Sequence, residues 1–412
     1  MSLDLIVKGG LLVDGTEADV AITGQTIVAV EPGITAPAAQ VIDATGRLVT
    51  QPLIDCHFHM DATLSYGRPR VNASGTLLEG IRLWGELKAI QTREEIVERA
   101  LRYCRMAVGQ GILAIRSHVD VTDPNFRTVE ALLEVRDRVK EVIDLQLVAF
   151  PQDGWFRAPG AEAAVIRSLD AGVDIVGGIP HFERTMQAGH DAVTAACRLA
   201  ADRGLMVDLH CDETDDPLSR HVEVLAAETL RFGLQGRVAG SHLTSMHSMD
   251  NYYVSKLIPL IAEARVAAIA NPLANIVLQG RHDSYPKRRG MTRVPELLAA
   301  GVTVAFAQDS TRDPWYPLGS GDMLEVAQMG LHVAHMTAPA AMRTCFDLVT
   351  RAPAEIMGLN FGLAPGCRAS LVVLDCADPV DAIRLSPARL AVISNGRVVA
   401  RTTPARTETS DI

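Results

Sequence analysis

The chain has 412 residues, a formal charge of −10, and is 48% hydrophobic, 21% charged and 4% aromatic. This composition excludes a disordered chain, a collagen-like fibre and a coiled coil. The absence of a Lys/Arg excess excludes a strongly basic nucleic-acid binder, since nothing would release counterions from phosphates. By length two or three domains are expected, although an α/β barrel can use about 250 residues as one.

At the start, apolar runs at 5–7, 11–13, 20–22 and 26–30 are punctuated by Gly9-Gly10, Gly15 and Gly24 and read as short strands. The stretch 32–37, Pro-Gly-Ile-Thr-Ala-Pro, reads as a loop. The middle differs. Apolar β-type runs at 53–58, 112–117, 145–150, 173–178, 205–209, 238–242, 266–270 and 302–307 alternate with helical patterns. The helical candidates are 94–108, 126–139, 161–169, 186–201, 217–230 and 250–264; the first places Ile96, Val97, Ala100, Leu101, Cys104 and Val108 near a 3.6-residue period. Eight strands alternating with helices is the count of a (β/α)8 TIM barrel. At the end, runs at 370–374 and 390–393 precede Asn395-Gly396 and a last run at 397–400, a hairpin signal. The β-rich ends can therefore pair into one small sheet domain interrupted by the barrel. The polar tail 402–412 is expected to fray.

In such a barrel the chemistry lies at the C-terminal strand ends. Run one ends in His57-Phe58-His59, and residues i and i+2 on a strand face the same way, so both imidazoles can reach one metal. Run five ends in His210-Cys211-Asp212-Glu213, offering a third imidazole and a carboxylate suited to proton transfer. Run six ends in Ser241-His242 and run eight in Gln308-Asp309. Taken singly, a lone His reads more readily as a satisfied core residue than as a ligand, and Asp309 equally as a helix N-cap or turn residue. Their coincidence on four strand ends favours a site. His118 and His181 follow runs two and four and can line the cavity without ligating, whereas His190, His221, His247, His282, His332 and His335 read as surface or packing residues. None of the five lysines ends run four, so a bridging carboxylated lysine is absent and one metal is expected. Phosphate-loop, dinucleotide-loop and nucleophile-elbow motifs are missing, as is the Pro-Cys-x-x-Cys of one zinc deaminase class.

The seven cysteines are scattered and form no Cys-x-x-Cys; no secretory pattern occupies residues 1–10 and no apolar run reaches about 18 residues. A soluble cytoplasmic protein with buried thiols and no membrane contact is expected. Arg281, Lys287, Arg288 and Arg289 read as a solvated or salt-bridged face.

These residues resemble the amidohydrolase superfamily and, within it, the bacterial cytosine deaminases. The resemblance spans nearly the whole chain. It rests on His57-Phe58-His59, Val148-Ala149-Phe150-Pro151-Gln152, Ile179-Pro180-His181-Phe182-Glu183 and His210-Cys211-Asp212-Glu213, and continues through Ser241-His242, Asn271-Pro272-Leu273, the Tyr-Pro-Lys-Arg-Arg-Gly at 285–290 and the Asp-Pro-Trp-Tyr-Pro-Leu-Gly at 313–319. It implies a β-sandwich from residues 1–52 and 358–412 flanking a catalytic barrel at 53–357. It implies one divalent metal per subunit, zinc or iron, held by His57, His59, His210 and Asp309. Asp309 and His242 would orient water and take its proton, Glu213 would protonate N3 of the pyrimidine, and Gln152 would hold the C2 carbonyl and the adjacent ring nitrogen. Phe150 and Trp315 are candidate pocket walls.

One departure stands out. Where cytosine deaminases of this type carry two consecutive acids after run eight, this chain has Asp309-Ser310. By the resemblance the second position lies beside C5 of the base, so Ser310 leaves room for a C5 substituent and 5-methylcytosine becomes the expected substrate, with cytosine the alternative. A related aminohydrolase of another amino-heterocycle, such as isoguanine or a triazine, or a barrel kept as a scaffold, are the competing readings. The expected partner is a free nucleobase, not nucleic acid, and the chain is expected to form a homo-oligomer.

Overall fold

A computed structural model describes residues 3–410. The first apolar runs build β1 (Leu3–Leu11), β2 (Glu17–Thr23), β3 (Thr26–Glu31), β4 (Ala38–Asp43) and β5 (Leu48–Thr50). The runs expected at 5–7 and 11–13 are a single strand. Its register against β2 shifts between Val7 and Gly10, so the glycines bend a strand instead of ending one. A Cβ on Gly10 would lie 2.3 Å from Val49 Cγ2, which is why the neighbouring strand can approach so closely. β4 carries no strand signal in the sequence, because five of its six residues are exposed or half-buried without alternation.

From residue 53 the strands are β6 (Leu53–Phe58), β7 (Ile112–Asp120), β8 (Asp144–Phe150), β9 (Ile175–Gly178), β10 (Met206–Cys211), β11 (Val238–His242), β12 (Ala267–Ala270) and β13 (Val304–Phe306). Each pairs in parallel with the next. All eight fall on predicted runs. The ring is drawn together by a parallel bridge between Phe58 and Asp309, with the Asp309 N–H donating to the His57 carbonyl at 2.8 Å and the His59 N–H to the Asp309 carbonyl at 3.0 Å. Asp55 Oδ1 accepts the Gln308 N–H at 3.0 Å in the same seam.

Helices cover the barrel. The helix Arg93–Gly109 shows why they form: Thr92 and Glu95 make a reciprocal capping box, and Ile96, Val97, Ala100, Tyr103, Cys104 and Ala107 bury one face. The helix expected over 217–230 begins instead at His221, because Asp216 and Ser219 spend their hydrogen bonds on a turn ahead of it. A helix not foreseen, Leu77–Ile90, follows β6 and is capped by Thr76.

The chain closes with β14 (Leu371–Leu374), β15 (Arg389–Ser394) and β16 (Arg397–Ala400), which join the first strands in one mixed sheet ordered β16-β15-β14-β5-β1-β2-β3, with β4 on β1. The alternation of side chains splits its strands between two cores. Val372, Leu374, Val392 and Leu48 enter the main barrel cluster, whereas Leu371, Val373, Ala391, Ile393 and Val49 form a cluster with β1, β2 and β3. Residues 401–410 are exposed and irregular; the rest of the tail lies outside the described residues. No helix among the described residues is long and apolar enough to cross a membrane. All seven cysteines are free and six are buried.

Candidate metal and substrate site

The strand ends converge. His57 is the penultimate residue of β6 with His59 just beyond the strand, His210 sits on β10, His242 ends β11, and Asp309 follows β13 by three residues. Ligand atoms of His57, His59, His210 and Asp309 lie within 4.8 Å of one another, and all four residues are buried. His59 Nε2 stands 2.9 Å from His210 Nε2, while Asp309 Oδ1 stands 3.4 Å from His57 Nε2 and 3.5 Å from His59 Nε2. Burial, with Arg116 nearby, pushes the His57 imidazole down to about 3; burial pushes His59 down to about 4 against the pull of Asp309, and carries His210 well below the usual range. The three rings are therefore neutral, with lone pairs available. His57 Nε2 has no hydrogen-bond partner among the described residues, a cost that a bound cation would remove. Imidazole nitrogens and one carboxylate oxygen are a donor set that a divalent transition metal fits.

Two other groups of donors lie near. His57, His118 and Asp208 form one, but Asp208 is already paired with Arg116 at 2.9 Å, and a cation there would sit beside a guanidinium. Glu213, His242 and Asp309 form the other and overlap the first cluster through Asp309.

Beside the four donors lies a small, tight cavity of about 20 Å³ lined by His59, Leu77, Ile81, Gln152, Ile179, His210, Glu213, Leu278, Asp309, Ser310 and Trp315. The structure thus brings Gln152, Glu213, Ser310 and Trp315 together on one wall system. Phe150 stands apart: its ring stacks on His210 at 4.1 Å and does not line the cavity, so it steadies an imidazole rather than walling the pocket. His118 packs against His57 with ring centres 4.1 Å apart, and neither it nor half-buried His181 lines the cavity. A larger cavity, about 350 Å³, opens at the opposite strand ends among Met206, Val238, Ala267 and Val302, where no His, Cys and carboxylate cluster gathers among the described residues.

Glu213 is buried; burial, and the nearby Asp309 charge, push its carboxyl well above the usual range and favour its protonated form. His242 Nδ1 lies 3.5 Å from Glu213 Oε1 and 3.0 Å from Asn275 Nδ2, and burial drives it well below the usual imidazole range. The turn carrying Glu213 is held by Asp212, which accepts from Ser219 Oγ, from the His221 and Val222 N–H groups and from His221 Nδ1 at 2.7–3.1 Å. Burial raises Asp212, but His221 and Ser219 more than offset it and leave it below the usual carboxylate range. Asp212, His242 and Asp309 all take positive φ, 54°, 72° and 66°, a left-handed conformation that costs a non-glycine residue energy and concentrates at functional turns.

Leu77, Ile81, Ile179, Leu278 and Asn275 were missed from sequence. The first two are visible in principle, as part of an i, i+4, i+7 apolar series through Trp84 in the helix Leu77–Ile90. Asn275, on the short helix Pro272–Leu278, carries no such signal. In the basic cluster, Arg288 bridges to Asp283 and Lys287 donates to backbone carbonyls.

Comparison with known proteins gives the chain a family. A family model described as the amidohydrolase family matches residues 40–400. The chain is similar to the solved 5-methylcytosine deaminase from Klebsiella pneumoniae liganded with 5-fluorocytosine, at 40% identity and TM-score 0.95 over 98% of this chain and 99% of that one. It is 32% identical to the pterin deaminase of Rhizobium rhizogenes over 94% of this chain and 89% of that protein, and 28% identical to the N-isopropylammelide isopropyl amidohydrolase of Pseudomonas sp. over 97% of each.

Proposed function

The chain belongs to the amidohydrolase family, and from that premise we propose that it is a metal-dependent aminohydrolase of a free aminopyrimidine, converting a C5-substituted cytosine, most simply 5-methylcytosine, and water to thymine and ammonia. The observation that carries the reading is the meeting of Gln152, Glu213, Asp309 and Ser310 on one cavity beside the four-donor cluster. The Klebsiella relative, a 5-methylcytosine deaminase, supports the substrate class. The terminal strands, sharing one sheet and a cluster of their own, support reading the two chain ends as a small β-sandwich flanking the barrel.

In this reading His57, His59, His210 and Asp309 hold one divalent cation, zinc or iron. Such an ion supplies the Lewis acidity that makes water nucleophilic near neutral pH. Gln152 offers an amide donor to the C2 carbonyl and an acceptor to the adjacent ring nitrogen. His242, neutral through burial, and Asp309 orient the attacking water and take its proton. Glu213 gives its proton to N3 as C4 is attacked, and a proton then passes to the exocyclic nitrogen, so that ammonia leaves in place of amide ion. Leu77, Ile81 and Leu278 exclude bulk water around the ring.

Ser310 sets the substrate. Filling a methyl-sized gap contributes about 1–3 kcal/mol, or roughly 10–200-fold in preference. The wild type is expected to show a higher kcat/KM for 5-methylcytosine than for cytosine, and Ser310→Asp to narrow or reverse that ratio. A wild type preferring cytosine, or a ratio unmoved by the substitution, would overturn the assignment. The pterin and ammelide relatives favour a second reading, an aminohydrolase of another amino-heterocycle. Ammonia release from a panel of aminopyrimidines, pterin and aminotriazines separates the two.

A further inference from the structure

We propose that Arg116, Asp208 and Ser241 form a buried positioning chain that fixes the tautomer of His57, leaving Nε2 as the lone-pair nitrogen turned toward the cation site. This rests on the metal-dependent reading above and adds three residues to it.

Arg116 on β7, Asp208 on β10 and Ser241 on β11 all point into the barrel, and none of them, nor His57, is more than 1% exposed. Arg116 Nη1 donates to Asp208 Oδ2 at 2.9 Å, Ser241 Oγ donates to Asp208 Oδ1 at 2.7 Å, and Ser241 Oγ stands 2.8 Å from His57 Nδ1. Proton counting then decides the ring. A guanidinium keeps its protons, so the carboxylate paired with it is an acceptor only. Asp208 Oδ1 has no hydrogen to give, and the single hydroxyl hydrogen of Ser241 must lie on the bond to Asp208. The serine oxygen is left to accept, and the only donor it can accept from is His57 Nδ1–H. A neutral imidazole carries one N–H, so Nε2 is unprotonated. That nitrogen has no hydrogen-bond partner among the described residues and faces Asp309 Oδ1 at 3.4 Å. His118 Nε2, at 3.7 Å from Asp208 Oδ1, is too far to compete for the carboxylate. Arg116 is itself held, by Gln146 Oε1 at 3.0–3.1 Å and by the Ile356 carbonyl at 3.2 Å, so the chain is anchored at its far end. A hydrogen bond that sets the tautomer of a ligating histidine typically contributes 10–100-fold to metal affinity.

Ser241→Ala removes the acceptor with no change of charge and no added bulk, and frees the ring to protonate at either nitrogen. On the full-length protein, zinc affinity is measured by chelator competition, melting of the metal-stripped forms monitors the fold, and nitrogen-15 shifts of labelled histidine report the tautomer. The expected result is zinc held about 10–100-fold more weakly by the variant, similar melting of the two stripped proteins, and His57 protonated at Nδ1 in the stripped wild type. Equal zinc affinity in wild type and variant, or a wild-type His57 protonated at Nε2, overturns the inference while leaving the metal-dependent reading intact. A wild type that holds no zinc or iron removes both. The wild-type nitrogen shifts decide the tautomer even where the variant folds poorly.

Discussion

At position 213 a carboxyl sits beside the Asn275 amide, 3.5 Å away, the ring of His242 and the Asp309 carboxylate, with no cationic side chain paired to it among the described residues. A side chain so placed is more useful as a proton donor than as an ion. Glu213→Gln keeps its shape and removes the transferable proton. Its kcat/KM is expected to fall about 10²–10⁴-fold, with metal content, read by elemental analysis, unchanged; a variant retaining most of its rate would reassign the acid. At this scale much of the site was legible, for one reason: in a parallel barrel a polar residue directly after an apolar run is placed on the reactive face by topology alone. The His-x-His pair, His210, His242 and Asp309 could be found that way. Phe150 could not be placed correctly, because its ring lies behind His210, a relation that no spacing along the chain encodes. Asn275 belongs to a helix whose orientation toward His242 is a tertiary fact. The positive φ angles at Asp212, His242 and Asp309 carry no residue-type signal, since none of the three is glycine.

Among the elements, the helix Leu77–Ile90 has the most direct bearing on substrate. It contributes Leu77 and Ile81 to the cavity and carries Gly80 against the indole of Trp315, where an added Cβ would lie 2.3 Å from Trp315 Cδ1. The indole is free to lie back only because position 80 has no side chain. Gly80→Ala improves the intrinsic helix propensity by roughly 1 kcal/mol yet overpacks this contact by about 1–3 kcal/mol, and the yielding side is the one facing empty space. Trp315 is thus expected to tip into the cavity. KM for the base should rise about tenfold or more with kcat changed less, measured by steady-state kinetics; an unchanged KM would show that the helix, not the indole, gives way. The helix escaped the sequence reading because Gly80 and Gly85 in its interior dilute the helical pattern. β4 escaped for a related reason, having too little buried surface to write an alternation. The barrel strands were easy to find, because a strand buried on both faces reads as a continuous apolar run.

For the molecule as a whole, the terminal sheet and the barrel are joined by apolar side chains of β14 and β15 in the main core and by Arg389, buried, whose guanidinium pairs with Asp322 and donates to the Gln110 carbonyl at 3.1 Å. Asp322→Ala would strand that guanidinium without its counter-charge and also remove the cap of the helix Met323–Val333. A loss of about 3–5 kcal/mol is expected, read as a lower urea midpoint, while kcat/KM for the base stays near wild type in the fraction that remains folded. Equal urea midpoints would show that the two cores are coupled through apolar contacts alone. The bridge between Phe58 and Asp309 has a bearing on biosynthesis as well. Three of the four donors are translated by residue 210, but the fourth lies on the segment that brings the last strand back to the first, across 251 positions of sequence. A nascent chain therefore displays imidazoles long before it owns the carboxylate that completes the set. On the metal-dependent reading proposed above, complete cation coordination would mark a finished ring and distinguish mature enzyme from truncated or half-folded chains.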